Sequence, residues 1–437
     1  MLKRITIYFL VFLLSSVLNV NVSSASTLDT VSIGDATTFS KDHKCWYVSG
    51  RYWAVWGDGT NIVYSSSTDG INWETKTTML SGIGIGDQGD TWFDGTYIHY
   101  AYCSSRQGDD ILYRRGTPQS NGVISWSAAE QVAYDTPSDQ RSFLTTVCVD
   151  TGGYPFIAWV REYDGNRYPW LTKSAKNDGT WETAPGHIYQ LSTTADYTWV
   201  TDVIPMTNGK VYALYGREDA QLRGRLWDGS VWDSSDQTCA SQNLYKGWNF
   251  AAVAVNDEIH LTFREKTTQY IKYVNRKDNT WNTGNEINIE TEKTEAEPAL
   301  AKAGNVLYCF FIHGTDNAIY YRNSTNGGKW SNRYTFISEA LPNFEAAHQT
   351  VYYSSSNNEI GVMYLKNENP PYDIRFKTLP VTTPPPQEKE QEQQPTPYQL
   401  FSPYALGGAT LVAVIAIAIY LASTRKTKAL KSSRING

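Results

Sequence analysis

The sequence predicts an all-β fold of the β-propeller class, and a repeated polar turn is the main reason. Six times a short turn rich in Gly, Asn and Asp runs into a tryptophan, at Trp73, Trp126, Trp181, Trp232, Trp281 and Trp330. Successive tryptophans lie 49 to 55 residues apart, and strand-like runs with many aromatic residues separate them. A repeat of roughly 40–50 residues built from strands is typical of a propeller. Seven units can be drawn through Pro380, which predicts seven blades, with six or eight as alternatives.

The two ends of the repeat region predict how the ring closes. Leu28–Phe39 forms a strand-like run before the first unit, while the last unit, at 343–380, has no tryptophan corner and no fourth strand. We therefore expect the segment near Thr30–Asp35 to pair with Asp373–Leu379 and complete the last blade. Such closure removes exposed strand edges, which are prone to non-native pairing.

The N-terminal residues 1–25 have the pattern of a secretory signal peptide. Lys3 and Arg4 precede an apolar run, and Ser23-Ser24-Ala25 offers a small-residue cleavage site. An uncleaved N-terminal anchor is the alternative interpretation.

The C-terminal residues predict a membrane anchor. A linker rich in Pro, Gln and Glu (381–399) leads into a helix at 400–423, whose segment Tyr404–Ala422 has 19 residues and no charge. This length is enough to cross a bilayer. The tail 424–437 is basic and has no acidic residue, so the positive-inside rule predicts a single-pass protein of the cell membrane. The propeller (26–380) would lie outside and the tail in the cytoplasm; a cleaved sorting signal is the alternative.

The net charge of the chain excludes one class of partner. Without the seven basic residues of the two termini, the chain carries 31 basic and 44 acidic residues, about −13. Such a negative field repels nucleic acid, so no nucleic-acid partner is expected.

The five cysteines include three in strands of different repeats, which favours buried thiols over a disulfide framework. No spacing resembles a metal site and no cofactor motif is present, so neither a metal nor a cofactor is predicted.

The tryptophan corners have a structural explanation. A Gly or Asn in the turn can adopt the positive φ of a tight hairpin, and the following tryptophan can cover the seam between neighbouring blades. The corner Ser67–Trp73 (STDGINW) resembles the Asp-box, or BNR, repeat of the sialidase superfamily, and Ser324–Trp330 (STNGGKW) is a degenerate copy. The resemblance covers 28–380 at the level of the fold. It implies a sialidase-like propeller in which these boxes are peripheral turns away from the active site.

The catalytic pattern implied by that resemblance is not met. Members of the family carry an Arg-Ile-Pro motif in the first blades, and this chain has no such tripeptide. The nucleophilic tyrosine, its glutamate partner and the acid aspartate cannot be assigned by motif among 30 tyrosines. The catalytic residues, if there are any, are therefore unknown from the sequence.

An Arg-Glu pair ends the second strand of three successive units. The pairs are Arg161-Glu162, Arg217-Glu218 and Arg264-Glu265, each with its arginine seven or eight residues past the preceding turn. Equivalent positions would place three guanidinium groups at the face where ligands sit over the channel, and they could bind a carboxylate by bidentate hydrogen bonds. The alternative is that each arginine pairs with its own glutamate as part of the repeat scaffold.

The starts of the first strands reach the same face. These corners carry a mixed set of acidic, cationic and aromatic residues: Asp90, Arg141, Trp199, Trp248, Glu297 and Glu345. Tryptophan stacks on the apolar face of a sugar and carboxylates accept its hydroxyl groups, so this set favours carbohydrate binding. Solvated loop charges are the alternative.

Three function classes fit these features. The first is a membrane-anchored cell-surface protein that binds a glycan or glycoprotein, with an acidic sugar as one candidate ligand. The second is an exo-acting glycoside hydrolase or uronate lyase, supported by the Arg-Glu series. The third is a structural or protein-binding propeller of a surface layer. The fold cannot rank them, because propellers have many unrelated functions.

Overall fold

A computed structural model of the chain describes residues 24–85, 89–104, 110–194, 197–217, 220–294, 297–313, 316–342 and 349–381. Apart from their boundary residues, the predicted signal peptide and linker lie outside this part, as do the predicted helix at 400–423 and the basic tail. No helix occurs among the described residues, so no helical span long enough to cross a membrane is found there.

The described residues form a seven-bladed β-propeller, as predicted. The N-terminal strand β1 spans Ser26–Val31. Blade 1 contains β2 (Cys45–Val48), β3 (Arg51–Gly57), β4 (Asn61–Ser67) and β5 (Thr77–Ser81). Blade 2 contains β6 (Gly89–Phe93), β7 (Ile98–Cys103), β8 (Ile111–Pro118), β9 (Ile124–Trp126) and β10 (Gln131–Tyr134). Blade 3 contains β11 (Arg141–Val149), β12 (Pro155–Tyr163), β13 (Asn166–Ser174) and β14 (Thr183–Gln190).

The remaining blades follow the same antiparallel order. Blade 4 contains β15 (Thr198–Pro205), β16 (Val211–Arg217), β17 (Gln221–Trp227) and β18 (Gln237–Asn243). Blade 5 contains β19 (Phe250–Val255), β20 (Glu258–Arg264), β21 (Ile271–Lys277), β22 (Thr280–Trp281) and β23 (Ile287–Asn288). Blade 6 contains β24 (Ala299–Ala303), β25 (Val306–His313), β26 (Ala318–Thr325) and β27 (Tyr334–Ser338). Blade 7 contains β28 (Gln349–Val351), β29 (Glu359–Lys366) and β30 (Tyr372–Pro380), and β1 is its fourth strand.

The N-terminal strand closes the ring, which confirms the predicted pairing. In the β1–β30 ladder Thr30 lies opposite Asp373 and Val31 opposite Tyr372. The observed ladder runs from Ser26 to Val31, so it begins and ends a few residues earlier than the predicted segment. β30 thereby has a partner on each side, β1 and β29, within one chain.

The first strand of each blade lies nearest the axis of the ring, because first strands of neighbouring blades contact one another. We call the end at which these inner strands begin the upper face and the end at which they finish the lower face. The connections between successive blades therefore lie on the upper face, and the tryptophan corners lie on the lower face.

The tryptophan corners seal the seams between blades, as predicted. Five of the six tryptophans contact an aromatic ring of the preceding blade, with centroids 5.1 to 5.7 Å apart: Trp73–Phe376, Trp181–Tyr113, Trp232–Tyr189, Trp281–Tyr212 and Trp330–Tyr273. Trp126 packs in the apolar cluster that contains Trp53 and Tyr64 of blade 1. In the first corner, Gly70 has a φ of 71°, and Asp69 accepts the backbone N–H groups of Ile71 and Asn72 at 2.8 Å.

An irregular segment between β1 and β2 fills the channel of the propeller. The carbonyl of Ala36 accepts the N–H of Gly57, and the carbonyl of Lys44 accepts the N–H of Val55. Between these two hydrogen bonds, seven residues (37–43) lie opposite a single residue of β3, Trp56. Six of the seven therefore have no position opposite them on β3. We call residues 37–43 the channel loop. Phe39 packs with the apolar cluster of blades 4 and 5, and His43 contacts Tyr353 of blade 7, so the loop spans the channel.

All five cysteines lie in the described part of the chain. Each is buried and none forms a disulfide, which confirms the prediction of buried thiols. Burial raises the pKa of the Cys45 and Cys309 thiols, so these groups stay protonated and behave as small apolar residues.

Candidate functional site

Four of the predicted site residues come together on the upper face of blades 3 to 5: Arg141, Glu162, Trp199 and Trp248. Arg141 Nη1 lies 3.1 Å from Glu162 Oε1. The Trp199 and Trp248 rings pack edge to face, with centroids 5.1 Å apart. Two further residues, Arg167 and Tyr197, join these pairs. We call the six residues the upper patch.

The charged part of the upper patch is fixed by strand register. The β11–β12 ladder places Arg141 opposite Glu162, and the β12–β13 ladder places Glu162 opposite Arg167, so the three side chains are cross-strand neighbours. Arg167 Nε donates to Glu162 Oε2 at 2.7 Å. Burial alone would raise the pKa of Glu162, but Arg167 and then Arg141 lower it below its usual range. Glu162 is therefore an ionised acceptor and a poor proton donor.

The aromatic part of the upper patch is built around the guanidinium group of Arg167. This group lies 4.3 Å from the ring centroid of Tyr197 and 4.7 Å from that of Trp199. Cation–π attraction at such distances holds the rings and the cation in one arrangement. Tyr197 is 43% exposed, and the side chain of Arg141 is 42% exposed, so both open to solvent beside the half-buried tryptophans.

Close backbone contacts hold the connection that carries Trp248 against blade 4. A Cβ atom on Gly247 would lie 2.6 Å from the Cβ of Trp199, and a Cβ on Gly216 would lie 1.7 Å from the carbonyl oxygen of Gly247. Only glycine fits at these two places. The edge-to-face packing of Trp199 and Trp248 is thus formed before any ligand arrives.

Arg161 and Arg264 lie at equivalent seams between blades. The guanidinium of Arg161 is 5.2 Å from the ring centroid of Tyr134 in blade 2. That of Arg264 is 4.2 Å from Tyr245, in the connection between blades 4 and 5. Arg161 Nε also donates to Gln140 Oε1 at 2.5 Å. Equivalent placement in the repeat is therefore observed, while the convergence of the arginines on one carboxylate stays a prediction.

Arg217 and Arg264 are less accessible than the predicted ligand role requires. Arg264 is 2% exposed and donates to Gln269 Oε1 at 2.6 Å. Arg217 is half-buried, and burial together with the charge of nearby Arg223 lowers its pKa. Arg217 and Arg223 are two neighbouring cations on the upper face, and a bound anion would reduce the repulsion between them.

In the described part of the chain, the glutamates that follow the arginines do not bind those arginines and have different partners from one another. Neighbouring residues of a strand point to opposite faces, so Arg and Glu of one pair diverge. Glu162 binds Arg141 and Arg167, whereas Glu265 accepts the backbone N–H groups of Thr267 and Thr268 at 2.6 and 2.7 Å. The scaffold alternative, in which each arginine pairs with its own glutamate, is thus not the arrangement found at Glu162 and Glu265. Glu218 lies outside the described residues.

The acidic members of the predicted ring lie inside the protein. Asp90 is 4% exposed and accepts the N–H of Val147 at 3.0 Å. Glu297 is fully buried and accepts the N–H of Ser40 in the channel loop at 2.8 Å. Glu345 lies outside the described residues. Asp90 and Glu297 therefore satisfy backbone groups along the channel, where no sugar on the upper face would contact them.

A buried charge cluster surrounds the channel loop. Lys41 Nζ lies 2.7 Å from Asp42 Oδ1, and Lys44 Nζ lies 3.1 Å from Asp42 Oδ2. Burial raises the pKa of Asp90 well above its usual range and that of Asp202 to about 7, although Lys41 opposes both shifts. The sequence contained no signal for this cluster, because its members come from an irregular loop and two separate blades.

Sequence reasoning missed Arg167 and Tyr197 of the upper patch. A usable signal existed for Arg167, because a two-residue turn at Asp164-Gly165 separates Tyr163 from Asn166 and sets Glu162 opposite Arg167. No comparable signal existed for Tyr197, which lies in a connection between blades. The described residues contain no group of His, Cys, Asp and Glu side chains able to hold a metal ion.

Comparisons with known proteins bear on the fold. No protein-family model matches the chain, and the search of curated proteins found no similar sequence. Among solved structures, a PL25 ulvan lyase, a polysaccharide lyase bound to -[GlcA(1-4)Rha3S]-, is similar with a TM-score of 0.53 and 8% identity, over 82% of this chain and 96% of that one. The BP39L lectin from Burkholderia pseudomallei is similar with a TM-score of 0.54 and 11% identity, over 79% and 98%.

A mutant of the Trypanosoma rangeli sialidase matches at a TM-score of 0.46 and 11% identity, over 82% of this chain and 58% of that one. The likenesses to the ulvan lyase and the BP39L lectin show the propeller fold. At such low identity they do not transfer an activity.

Proposed function

We propose that the protein is a cell-surface, membrane-anchored propeller that binds a carbohydrate bearing an acidic sugar at the upper patch. The observation that carries the proposal is the preformed contact of Trp199 and Trp248 beside Arg167 and Arg141. The aromatic rings offer apolar faces to a sugar ring, and Arg141 offers donors to its carboxylate.

The charge of the upper patch supports an acidic ligand. Arg141 and Arg167 outnumber Glu162, and the ammonium of Lys246 lies 5.6 Å from the Trp248 ring. The whole chain carries a formal charge of −6, so a cationic surface on it is selective for anions at short range. The similar propellers named above include a lectin and a lyase bound to an oligosaccharide with a glucuronic acid unit. The anchor follows from the predicted signal peptide and the apolar segment near the C-terminus.

A glycan array probed with the whole chain in detergent tests this function. We expect binding to glycans with uronic or sialic acid and weak binding to neutral ones. Arg141→Gln removes a charged hydrogen-bond donor and should weaken binding by about 1.5–3 kcal/mol. Arg114→Gln is a matched control, because Arg114 also pairs with a glutamate (Glu130, 3.4 Å) and contacts an aromatic ring (Trp126, 3.6 Å) but lies outside the upper patch. Equal affinity of Arg141→Gln and wild type for every bound glycan would refute the assignment.

An enzymatic alternative has one specific observation in its favour, on the upper face of blade 6. His313 lies between two carboxylates, with Nε2 at 2.8 Å from Glu292 and Nδ1 at 3.1 Å from Asp316. The Tyr320 hydroxyl donates to Asp316 at 3.0 Å, and Arg333 lies 4.7 Å from the Tyr320 ring. These groups can transfer protons and stabilise an anion, as a hydrolase or uronate lyase requires. Released sugar or unsaturated product from a polyuronate, abolished in Tyr320→Phe, would favour this function over simple binding.

A further inference from the structure

The lower face of the propeller contains a cavity of about 390 Å³ at the mouth of the channel. It lies where the inner strands of blades 2 to 7 end, and it is lined by Trp92, Lys302 and Tyr353 among others. A second cavity, of about 280 Å³, shares Trp92 and Tyr353 with it. The channel loop separates both cavities from the upper face, because Ser40, Lys41 and Asp42 are buried within the channel. A ligand can therefore reach this mouth only from below.

One cation in the larger cavity has few protein partners. Lys302 Nζ donates to the carbonyl oxygen of Ala254 at 2.6 Å and lies 4.9 Å from the ring centroid of Tyr353. Among the residues that the structure describes, it forms no salt bridge. An ammonium group has three N–H donors, so two remain for a ligand or water. Burial lowers the pKa of Lys302 to about 8, which shows how little of its charge the protein compensates.

The acidic residues near this cavity are engaged with other partners. Asp94 Oδ2 lies 3.0 Å from His99 Nε2. Asp150 accepts the backbone N–H groups of Gly152 and Tyr154 at 2.8 and 3.0 Å. Neither carboxylate forms a salt bridge with Lys302, and Asp150 also lies 3.8 Å from Lys173 Nζ, so the Lys302 ammonium is available as the cationic group of this cavity.

The cavity wall beside this charge is aromatic and fixed in position. Tyr353 contacts Trp92 and His43 edge to face, with ring centroids 4.6 and 5.0 Å apart. Its hydroxyl accepts the N–H of Ala254 at 2.8 Å, which fixes the ring at both ends. A rigid aromatic face loses little entropy when a ligand packs on it.

We propose that the lower mouth of the channel is a second binding site, for a monosaccharide-sized carboxylate such as a hexuronate. Its carboxylate pairs with Lys302 and an apolar face of its ring lies on Tyr353. The volume falls in the usual range for sites of small ligands, and one ammonium group balances the single negative charge of a carboxylate. This site uses none of the residues of the upper patch and does not depend on the proposed function.

Calorimetric titration of the whole chain with D-glucuronate, and with D-glucose as the neutral control, tests the site. The titrations use the Arg141→Gln background, so that binding at the upper patch is weakened and contributes little. We expect glucuronate to bind more tightly than glucose, and Lys302→Gln to weaken its affinity at least tenfold. Lys277→Gln is the matched control, because Lys277 is a lysine of the lower face already paired with Glu258 at 2.6 Å. It should leave the affinity unchanged.

Two further measurements separate loss of the charge from loss of the fold. Lys302→Arg retains the positive charge and should keep affinity within a few fold of the parent, with an unchanged melting temperature. The affinity for glucuronate should also fall as the pH rises above about 8, where Lys302 loses its proton, and Lys302→Gln should show no such fall. Absence of glucuronate binding in the Arg141→Gln background, or binding that Lys302→Gln leaves intact, would overturn the proposal. Either result would leave the function of the upper patch unaffected.

Discussion

Trp281 of blade 5 donates its indole N–H to the hydroxyl of Tyr212 in blade 4, with 2.7 Å between Nε1 and Oη. At two other seams the tyrosine hydroxyl lies within hydrogen-bond distance of a histidine of its own blade. His99 Nδ1 lies 2.8 Å from the Tyr113 hydroxyl, and His260 Nδ1 lies 2.7 Å from the Tyr273 hydroxyl. Both tyrosines contact the tryptophan of the next blade's corner. Aromatic corners thus join neighbouring blades through packing and hydrogen bonds together.

Trp281→Ala should destabilise the propeller by about 3–5 kcal/mol without changing ligand affinity per folded molecule. Trp281 is 6% exposed, so the substitution removes a large buried area and leaves a cavity. Trp281→Phe keeps most of that area and should cost less, mainly the hydrogen bond to Tyr212. Urea denaturation followed by tryptophan fluorescence measures both values. A folded Trp281→Ala protein that has lost glycan binding would contradict the scaffold role.

Deletion of Ser26–Val31 should destabilise the whole ring and not only blade 7. The β1 strand pairs with β30 along its length, so the deletion exposes the edge of β30 and removes the strand that closes the ring. We expect a single unfolding transition at lower temperature and an increased tendency to aggregate, measured by calorimetry and light scattering. Replacement of the segment by an unrelated strand of six alternating residues should recover part of the loss. An unchanged melting temperature after deletion would show that closure contributes nothing.

Arg264→Ala and Arg141→Ala should affect different properties. Arg264 is 2% exposed, stacks on Tyr245 and donates to Gln269, so its loss should cost about 1.5–3 kcal/mol of stability. Arg141 has a side chain 42% exposed, so its loss should change stability by no more than about 0.5 kcal/mol. The affinity for acidic glycans should fall in Arg141→Ala. Paired denaturation and binding curves test the contrast, and a reversed pattern would place the ligand at the seam arginines.

Asp202→Asn should change how stability depends on pH. Burial raises the pKa of Asp202 to about 7, with Lys41 opposing this and Asp42 adding to it. An unfolded aspartate titrates near about 3.9, so between about pH 4 and 7 the native state keeps a proton that the unfolded state releases. The stability from this proton is complete below about pH 4 and is lost as the pH rises through about 7.

The asparagine variant lacks that loss, so its stability relative to wild type should increase from pH 5 to pH 8, by at most a few kcal/mol. Buried His43 and His260, each with a pKa lowered to about 4, titrate in the opposite sense but in both proteins alike. They therefore cancel in the difference between the two denaturation series. A constant difference across this range would show that Asp202 is ionised throughout.

The seven blades and their closure could be predicted from the sequence, because they rest on local signals that recur. Each corner needs a residue able to adopt positive φ and a large ring after it, and both are visible in a single turn. The missing fourth strand of the last unit likewise identified β1 as its partner. Arg141, Glu162, Trp199 and Trp248 were found for the same reason, since they occupy matching positions in the repeat.

Only the tertiary structure decided what surrounds each of these residues. Asp90 and Glu297 share repeat positions with Arg141 and Trp248, yet both are buried: Glu297 binds the channel loop, and Asp90 binds the backbone of blade 3. That loop breaks the repeat, so periodicity could not predict it. The cavity beside Lys302 depends on strand ends from six blades that are far apart in the chain. Local pattern determines the blade, whereas burial and the pairing of charges depend on neighbours that only closure of the ring brings together.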